Sequence, residues 1–481
     1  MKQDLKFLRH IPTDFLWGAA SAAYQVEGAY NIEGKDVSIW DEWTKLPGKT
    51  FQNTNGDIAT DHYHRYKEDV RLMKEMGLKT YRFSISWTRI LNGTEINPKG
   101  ILFYHNLIDE CQKHGIEPMV TLYHWDLPKR LQDQYGGWLS DQIVDDFVAY
   151  AKVCFDAYHT KVKKWIVINE PNIFTHQGYE LGVHPPGHKD KTDEYLKAFH
   201  HTALAHAKTV NLYKSGSYEK GMIGSSIALT PGFSQTDSPK DLEATKRYMD
   251  LNFYWFTDIY YKGSYPKWAL EYYQNNNLIK FSISDEQKMM LTQAAKEVDF
   301  IGINYYQSTM IAHNPLDGVG QMLFNTDGKK TSFVESGIPG VYKNVENPNV
   351  TYTNWNWVVD PDGLKETLKV LTKRYHLPII ISENGLGAFD EIEDGAIHDD
   401  YRIDFIYKHI KALAQSIQEG SDVLAYCVWS FTDLLSWLNG YQKRYGFVHV
   451  DFESPNLTRR KKDSFYWYQH LIQYAQNKKQ D

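Results

Sequence analysis

Two carboxylates stand where apolar runs stop. Leu377-Pro378-Ile379-Ile380-Ile381-Ser382-Glu383-Asn384-Gly385 carries three successive isoleucines and then turns abruptly to acid, amide and glycine. Trp165-Ile166-Val167-Ile168-Asn169-Glu170 follows the same plan. β-Branched side chains in an unbroken apolar run suit a strand covered on both faces, so each glutamate ends a buried strand. Desolvating a carboxylate without partners is costly. Such an acid either steps out into a solvated loop or is held for chemistry. A pair of them could divide the work, one protonating a leaving oxygen while the other attacks or activates water.

The elements that would position the pair repeat along the chain. Strands are expected at Phe15–Ala20, Tyr81–Trp87, Glu117–His124, Trp165–Glu170, Met222–Ala228, Phe300–Tyr306, Leu377–Gly385 and Val423–Ser430. Helical periodicity lies between them: Tyr66, Val70, Met73 and Met76 recur at helical spacing, with Asp61 as a cap and Gly77 as a stop. Eight strands alternating with helices give an α/β fold, a single (β/α)8 TIM barrel with extended βα loops spanning residues 1–481. The Asn-, Gly- and Pro-rich segment His313–Val358 reads as one such loop, placed to act as a lid. The last residues of the strands are Arg82, His124, Asn169 with Glu170, Asn304 with Tyr306, Glu383 with Asn384, and Trp429. All fall at the face where barrel enzymes place their active sites.

Composition narrows the chemistry. The chain has 481 residues and a net charge of −7, without a basic run, which argues against nucleic acid as a partner. Arg459-Arg460-Lys461-Lys462 reads as a solvated loop. Three scattered cysteines, Cys111, Cys154 and Cys427, have no metal-ligand spacing and suit reduced thiols in a cytoplasmic protein. No segment has the length and apolarity of a membrane span. No metal and no cofactor is expected. Oligomeric state is left open, a homo-oligomer included. Two acids among amides and aromatics, without a Gly-rich phosphate loop, suit glycoside cleavage. A separation of about 5 Å would give retention through a covalent intermediate, and roughly 6.5–9.5 Å would give inversion.

Four motifs carry a resemblance. Ile168-Asn169-Glu170-Pro171, Ile381-Ser382-Glu383-Asn384-Gly385, Phe15-Leu16-Trp17-Gly18 through Tyr24-Gln25-Val26-Glu27-Gly28, and Tyr123-His124-Trp125-Asp126-Leu127-Pro128 resemble those of family 1 glycoside hydrolases. Ser382 stands where many members carry threonine. The resemblance implies a retaining mechanism with Glu170 as acid/base and Glu383 as nucleophile. Arg82 and Tyr306 would stabilise the charge of Glu383. Gln25, His124, Asn169, Asn304 and Trp429 would line the sugar site, with Asn169 on the 2-hydroxyl. Glu170 should be raised in pKa by burial and by the second carboxylate.

The stretch Thr432–Gly446 bears on the substrate. Members acting on plain glucosides usually carry a Glu-Trp pair here; this chain has Ser436-Trp437, then Lys443 and Tyr445. Losing an acid and gaining an ammonium, a hydroxyl and a phenol favours an anion. Ser436, Lys443 and Tyr445 resemble the phosphate-binding trio of the family's 6-phospho-β-glycosidases, with Arg444 pointing away or supporting the loop. Hydrolysis of small phosphorylated β-glycosides, chiefly 6-phospho-β-D-glucosides, is therefore expected. Trp437 keeps 6-phospho-β-galactosidase or dual activity open, because a tryptophan there can contact an axial 4-hydroxyl. An unphosphorylated β-glucosidase and a non-catalytic sugar-phosphate binder are the other readings.

Overall fold

The branched aliphatic runs do form the strands of a closed barrel. In the computed structural model, which describes residues 4–316 and 325–477, the strands are β1 (Leu16–Ala20), β2 (Thr80–Ser84), β3 (Glu117–Tyr123), β4 (Lys164–Asn169), β5 (Met222–Ala228), β6 (Ile301–Asn304), β7 (Ile379–Asn384) and β8 (Val423–Trp429). Each pairs in parallel with its neighbours in the chain, and β8 closes onto β1 with Leu16 opposite Ala425 and Ala20 opposite Trp429. Helices His62–Met76, Pro98–Lys113, Gln142–Tyr158, Thr192–Ser215, Asp285–Glu297, Pro361–Tyr375 and Asp400–Gln418 fill the successive crossovers, and Asp463–Asn477 follows β8.

Alternate residues of the strands serve two cores. Ile379 and Ile381 of β7, with Trp165 and Val167 of β4, join the large apolar cluster shared with the helices. Ile380, Ile166, Met119, Ala425 and Cys427 belong to a second, smaller cluster filling the ring. The period of two along a strand sends successive side chains to opposite faces, so a strand buried on both must be apolar throughout. Cys111, Cys154 and Cys427 are all buried free thiols. Among the described residues no helix is long and apolar enough to cross a membrane.

Three details depart from the sequence reading. β2 stops at Ser84, because Trp87 opens a helical turn, Trp87–Ile90. Asp61 holds the N-cap position of the helix His62–Met76 but its side chain does not cap it; the carboxylate accepts from His64 Nδ1 at 2.6 Å instead. The segment His313–Val358 is not a plain loop. Ser336–Ile338 and Tyr342–Val345 join Thr309–Ala312 and Gly232–Ser234 in a four-stranded sheet, and Thr351–Tyr352 pairs with Val358–Val359. The short alternating runs there find backbone partners, which a polar composition alone does not reveal. Residues 317–324 of that segment lie outside the described residues.

Candidate active site

Both glutamates follow an irregularity in their strand. In β7, Ile381 pairs with Ile303 and Tyr426, whereas Glu383 pairs with Asn304 and Asn384 with Val428, so beyond Ile381 β7 carries one residue more than either neighbour. β4 has the same surplus against β5, between Ile166 opposite Gly224 and Asn169 opposite Ser226. Such a bulge bends the strand and re-aims a side chain, and bulges gather next to active sites. Glu170 then takes a left-handed backbone (φ 48°) as the chain turns into the short helix Pro171–Thr175. A non-glycine residue in that region costs of order 1–3 kcal/mol, which the surrounding contacts must offset. One is a 2.7 Å bond from Glu170 N–H to the Ser226 carbonyl.

Arg82 organises the floor. Its Nη1 donates to Glu383 Oε1 at 2.5 Å, its Nη2 to Asn169 Oδ1 at 2.6 Å and its Nε to Thr121 Oγ1 at 2.8 Å. The Tyr306 hydroxyl donates to the other Glu383 oxygen at 2.6 Å. Asn304 Nδ2 reaches Glu170 Oε1 at 2.8 Å and Asn169 Oδ1 at 3.0 Å, and its amide stands near enough to Glu383 to favour that carboxylate's charged form. Ser382 fixes which way that amide faces, since its hydroxyl donates to Asn304 Oδ1 at 2.7 Å. The two carboxylates thus border one shared amide.

Their titration is set by burial and by each other. Burial, then the negative charge of Glu383, pushes Glu170 up to about 8, against the opposing pull of Asn304 and Arg82. Glu383 is also raised by burial, but Arg82, Tyr306 and Asn304 all favour its charged form. With the donors concentrated on Glu383, the first negative charge of the pair settles there and holds the proton on Glu170. Tyr306 is itself driven well above its ordinary range, first by burial and then by Glu383, so it remains a donor.

Two buried polar atoms nearby lack partners. Asn169 Nδ2 lies 3.1 Å from His124 Nε2, and burial with the charge of Arg82 keeps His124 neutral. An amide donating to Nε2 leaves the proton on Nδ1, and that nitrogen is unpartnered. Gln25 Nε2 donates to the Leu435 carbonyl at 2.6 Å, leaving Oε1 equally unpartnered. Buried polar groups without partners are uncommon, so a donor and an acceptor facing no protein group suit a polyhydroxyl ligand. Trp429 stacks near His124 at 5.8 Å and 26°. Trp437 stacks on Tyr24 at 5.9 Å and packs against Trp40 and Trp125, one residue from Ser436.

The Ser436–Tyr445 loop stands beside the carboxylates. Tyr445 is buried, lies beside Ser436 and feels the charges of both Glu383 and Glu170. Ser436 Oγ also donates to Asn439 Oδ1 at 3.2 Å. Lys443 is 2% exposed, and burial drives its ammonium well below the ordinary lysine range. Its Nζ lies 3.6 Å from the ring centroid of Trp357, 4.9 Å from that of Trp355 and 5.4 Å from that of Tyr445.

Behind this loop the side chains of Arg459 and Lys462 are buried, contrary to the sequence reading, while Arg460 and Lys461 stay partly exposed. Arg459 pairs with Asp69 at 3.0 Å, and Lys462, fully buried, lies 2.5 Å from Asp390 and 2.8 Å from Asp433. Arg444 reaches Asp433 at 3.3 Å and the Val450 carbonyl at 2.8 Å, while its backbone bonds Ala388 in both directions. It supports the loop. Asp390, Asp433 and His449 cluster closely enough to hold a cation, and the Lys462 ammonium already supplies one. Their surroundings were illegible because a run of four basic residues ordinarily faces water.

Other neighbours escaped the sequence reading. Gly387 leaves room for the lysine: a Cβ there would stand 2.4 Å from Lys443 Cε and 2.9 Å from Tyr445 Cζ. Trp355 and Trp357 reach the site from the segment read as a loop. Two tryptophans in a stretch of asparagines were the available signal.

With this geometry in place, the family follows. The model of Glycosyl hydrolase family 1 matches residues 8–477, and the chain belongs to that family. It is similar to the aryl-phospho-beta-D-glucosidase BglC of Bacillus subtilis, 48% identical over 96% of this chain and 97% of the relative. A 6-phospho-beta-galactosidase of Clostridium acetobutylicum is 39% identical over 95% and 96% of the two chains. Among solved structures, the family 1 beta-glucosidase of Thermotoga maritima superposes with a TM-score of 0.86 at 33% identity, covering 97% and 98%.

Proposed function

We propose that this chain hydrolyses 6-phospho-β-D-glucosides with retention, releasing D-glucose 6-phosphate and an aglycone. In the first step a Glu383 carboxylate oxygen bonds the anomeric carbon as the glycosidic bond breaks, and the Glu170 proton passes to the leaving oxygen. Esterified Glu383 no longer repels charge, so Glu170 is left as a carboxylate. It takes a proton from water, whose oxygen attacks the anomeric carbon and frees Glu383. Arg82 and Tyr306 hold the nucleophile, Asn169 meets the 2-hydroxyl, and Gln25 Oε1 with His124 Nδ1–H meets further hydroxyls. Asn304 orients the pair, and Trp429 and Trp437 pack against the sugar.

The observation that carries the substrate is Lys443, buried beside Tyr445 with no carboxylate partner among the described residues, together with Ser436 where plain glucosidases carry an acid. A phosphate dianion supplies the charge this ammonium lacks. The kinship with an aryl-phospho-beta-D-glucosidase supports the same reading. Trp437 beside Ser436, together with the 6-phospho-beta-galactosidase relative, favours an additional galacto activity. Substrates of this kind suit a cytoplasmic enzyme.

The test sets nitrophenyl 6-phospho-β-glucoside against its unphosphorylated parent, with the 6-phospho-β-galactoside as a third arm. A kcat/KM strongly favouring the phosphorylated glucoside is expected, and Glu383→Gln should lose turnover by orders of magnitude. Equal or better turnover of the unphosphorylated parent overturns the phosphate assignment.

A further inference from the structure

A buried ammonium ordinarily finds a carboxylate. Lys443 is 2% exposed, yet burial alone moves its titration, with no acid among the described residues offsetting it. What surrounds it is aromatic: the faces of Trp357 at 3.6 Å, Trp355 at 4.9 Å and Tyr445 at 5.4 Å. A ring face attracts a cation through its quadrupole without neutralising it. A carboxylate in the same place would fix the lysine equally well but would repel an incoming phosphate. Trp357 also stands edge-on to Tyr306, 5.4 Å between centroids, and Tyr306 holds Glu383.

The segment bearing Trp357 is fastened where it stands. Trp357 N–H donates to Thr353 Oγ1 at 3.1 Å, and its carbonyl accepts from Thr353 N–H at 2.8 Å. Asn439 Nδ2, three residues beyond Ser436, donates to the carbonyls of Asn325 and Thr326 at 3.1 Å each, and Gln442 Nε2 donates to Thr326. The segment and the Ser436–Tyr445 loop are therefore tied directly to one another.

We infer that Trp357 is a positioning residue for phosphate selectivity: its indole face keeps the Lys443 ammonium ordered and unneutralised, ready for a 6-phosphate. The inference rests on the phosphate reading above. It acts through Lys443, so its signature is a change of selectivity rather than of chemistry.

The experiment is a double-mutant cycle with Trp357→Leu, Lys443→Ala and the double variant, assayed on nitrophenyl 6-phospho-β-glucoside and on nitrophenyl β-glucoside. Trp357→Leu should lower kcat/KM for the phosphorylated substrate by roughly 3- to 30-fold, through KM, because a desolvated cation–π contact is of that size. The unphosphorylated substrate should change far less, and the selective loss should vanish once Lys443 is already alanine. Trp357→Phe keeps a weaker ring face and should retain part of the selectivity, which decides the matter even if the leucine variant folds poorly. Equal loss on both substrates, or an undiminished effect in the Lys443→Ala background, overturns the inference. The phosphate reading fails separately, if the unaltered enzyme has no preference for phosphate or if Lys443→Ala leaves that preference intact.

Discussion

Arg82 and Glu383 meet at 2.5 Å on the floor of the barrel, with the guanidinium fully buried and the carboxylate nearly so. The contact joins β2 to β7 across the ring. It sets the charge state on which the rest of the site depends, because an anion at Glu383 keeps Glu170 protonated. Arg82 also orients Asn169, so one side chain governs both the proposed nucleophile and the amide proposed to meet the 2-hydroxyl.

Arg82→Lys should therefore be severe. A lysine cannot present the planar fork that meets Thr121, Asn169 and Glu383 together. kcat/KM should fall by about 100-fold or more, and breaking the buried pair should cost stability of order 3–5 kcal/mol with Arg82→Met. Steady-state kinetics and denaturant melts measure both. A near-normal rate in Arg82→Lys would refute the assigned role.

Acid–base behaviour follows from the raised Glu170. Its proton is held below pH about 8 and lost above it, so kcat/KM should decline on the alkaline side through that value. In Glu383→Gln the repelling charge is gone, and the Glu170 pKa should drop. Carbon-13 NMR titration of labelled glutamate in the two proteins reads the shift directly. An unchanged Glu170 would mean that burial alone sets its acidity.

Gly387 separates room from charge. A methyl at that position collides with Lys443 along its stem, at Cε and Cγ, and with the Tyr445 ring, so Gly387→Ala should displace both side chains. KM for the phosphorylated glucoside should rise by roughly tenfold, on the scale of a displaced charge-assisted bond. The unphosphorylated glucoside should change little. Parallel kinetics on the two substrates decide it.

The ion cluster behind the loop should declare itself in acid. Lys462, followed by the other positive groups near it, outweighs burial and holds Asp433 down at about 2. A carboxylate lowered in the fold contributes stability that is fully present above its unfolded pKa of about 4 and is lost as pH falls through the folded value. The stability gap between the unaltered protein and Asp433→Asn should thus be wide at pH 7, of order 3–5 kcal/mol, and narrow by about 2.5 kcal/mol between about pH 4 and 2. A gap independent of pH would assign the cost to packing.

Much of the barrel was legible because burial on both faces demands unbroken apolar runs, and Ile379-Ile380-Ile381 can hardly be anything else. The polar residues that end those runs were legible for the complementary reason: they conflict with the strand they terminate. Trp357 and Gly387 were not. One is an aromatic in a polar stretch and the other a glycine among several, and each gains meaning only from Lys443, which is distant in sequence. Lys462 was misread because its partners Asp390 and Asp433 lie 72 and 29 residues away.

The sequence by itself determined the eight strands and the two glutamates at their ends, which follow from local composition, because that settles what a segment must bury. Ser436 in place of an acid was legible in the sequence only through the family resemblance. Only the tertiary structure decided that Arg82 holds Asn169 along with Glu383, that one amide borders both carboxylates, and that Lys443 rests on indole faces instead of an acid. Those relations join residues tens to hundreds of positions apart. Electrostatic and hydrogen-bond energies depend on distance and local burial, and closure of the ring is what fixes both.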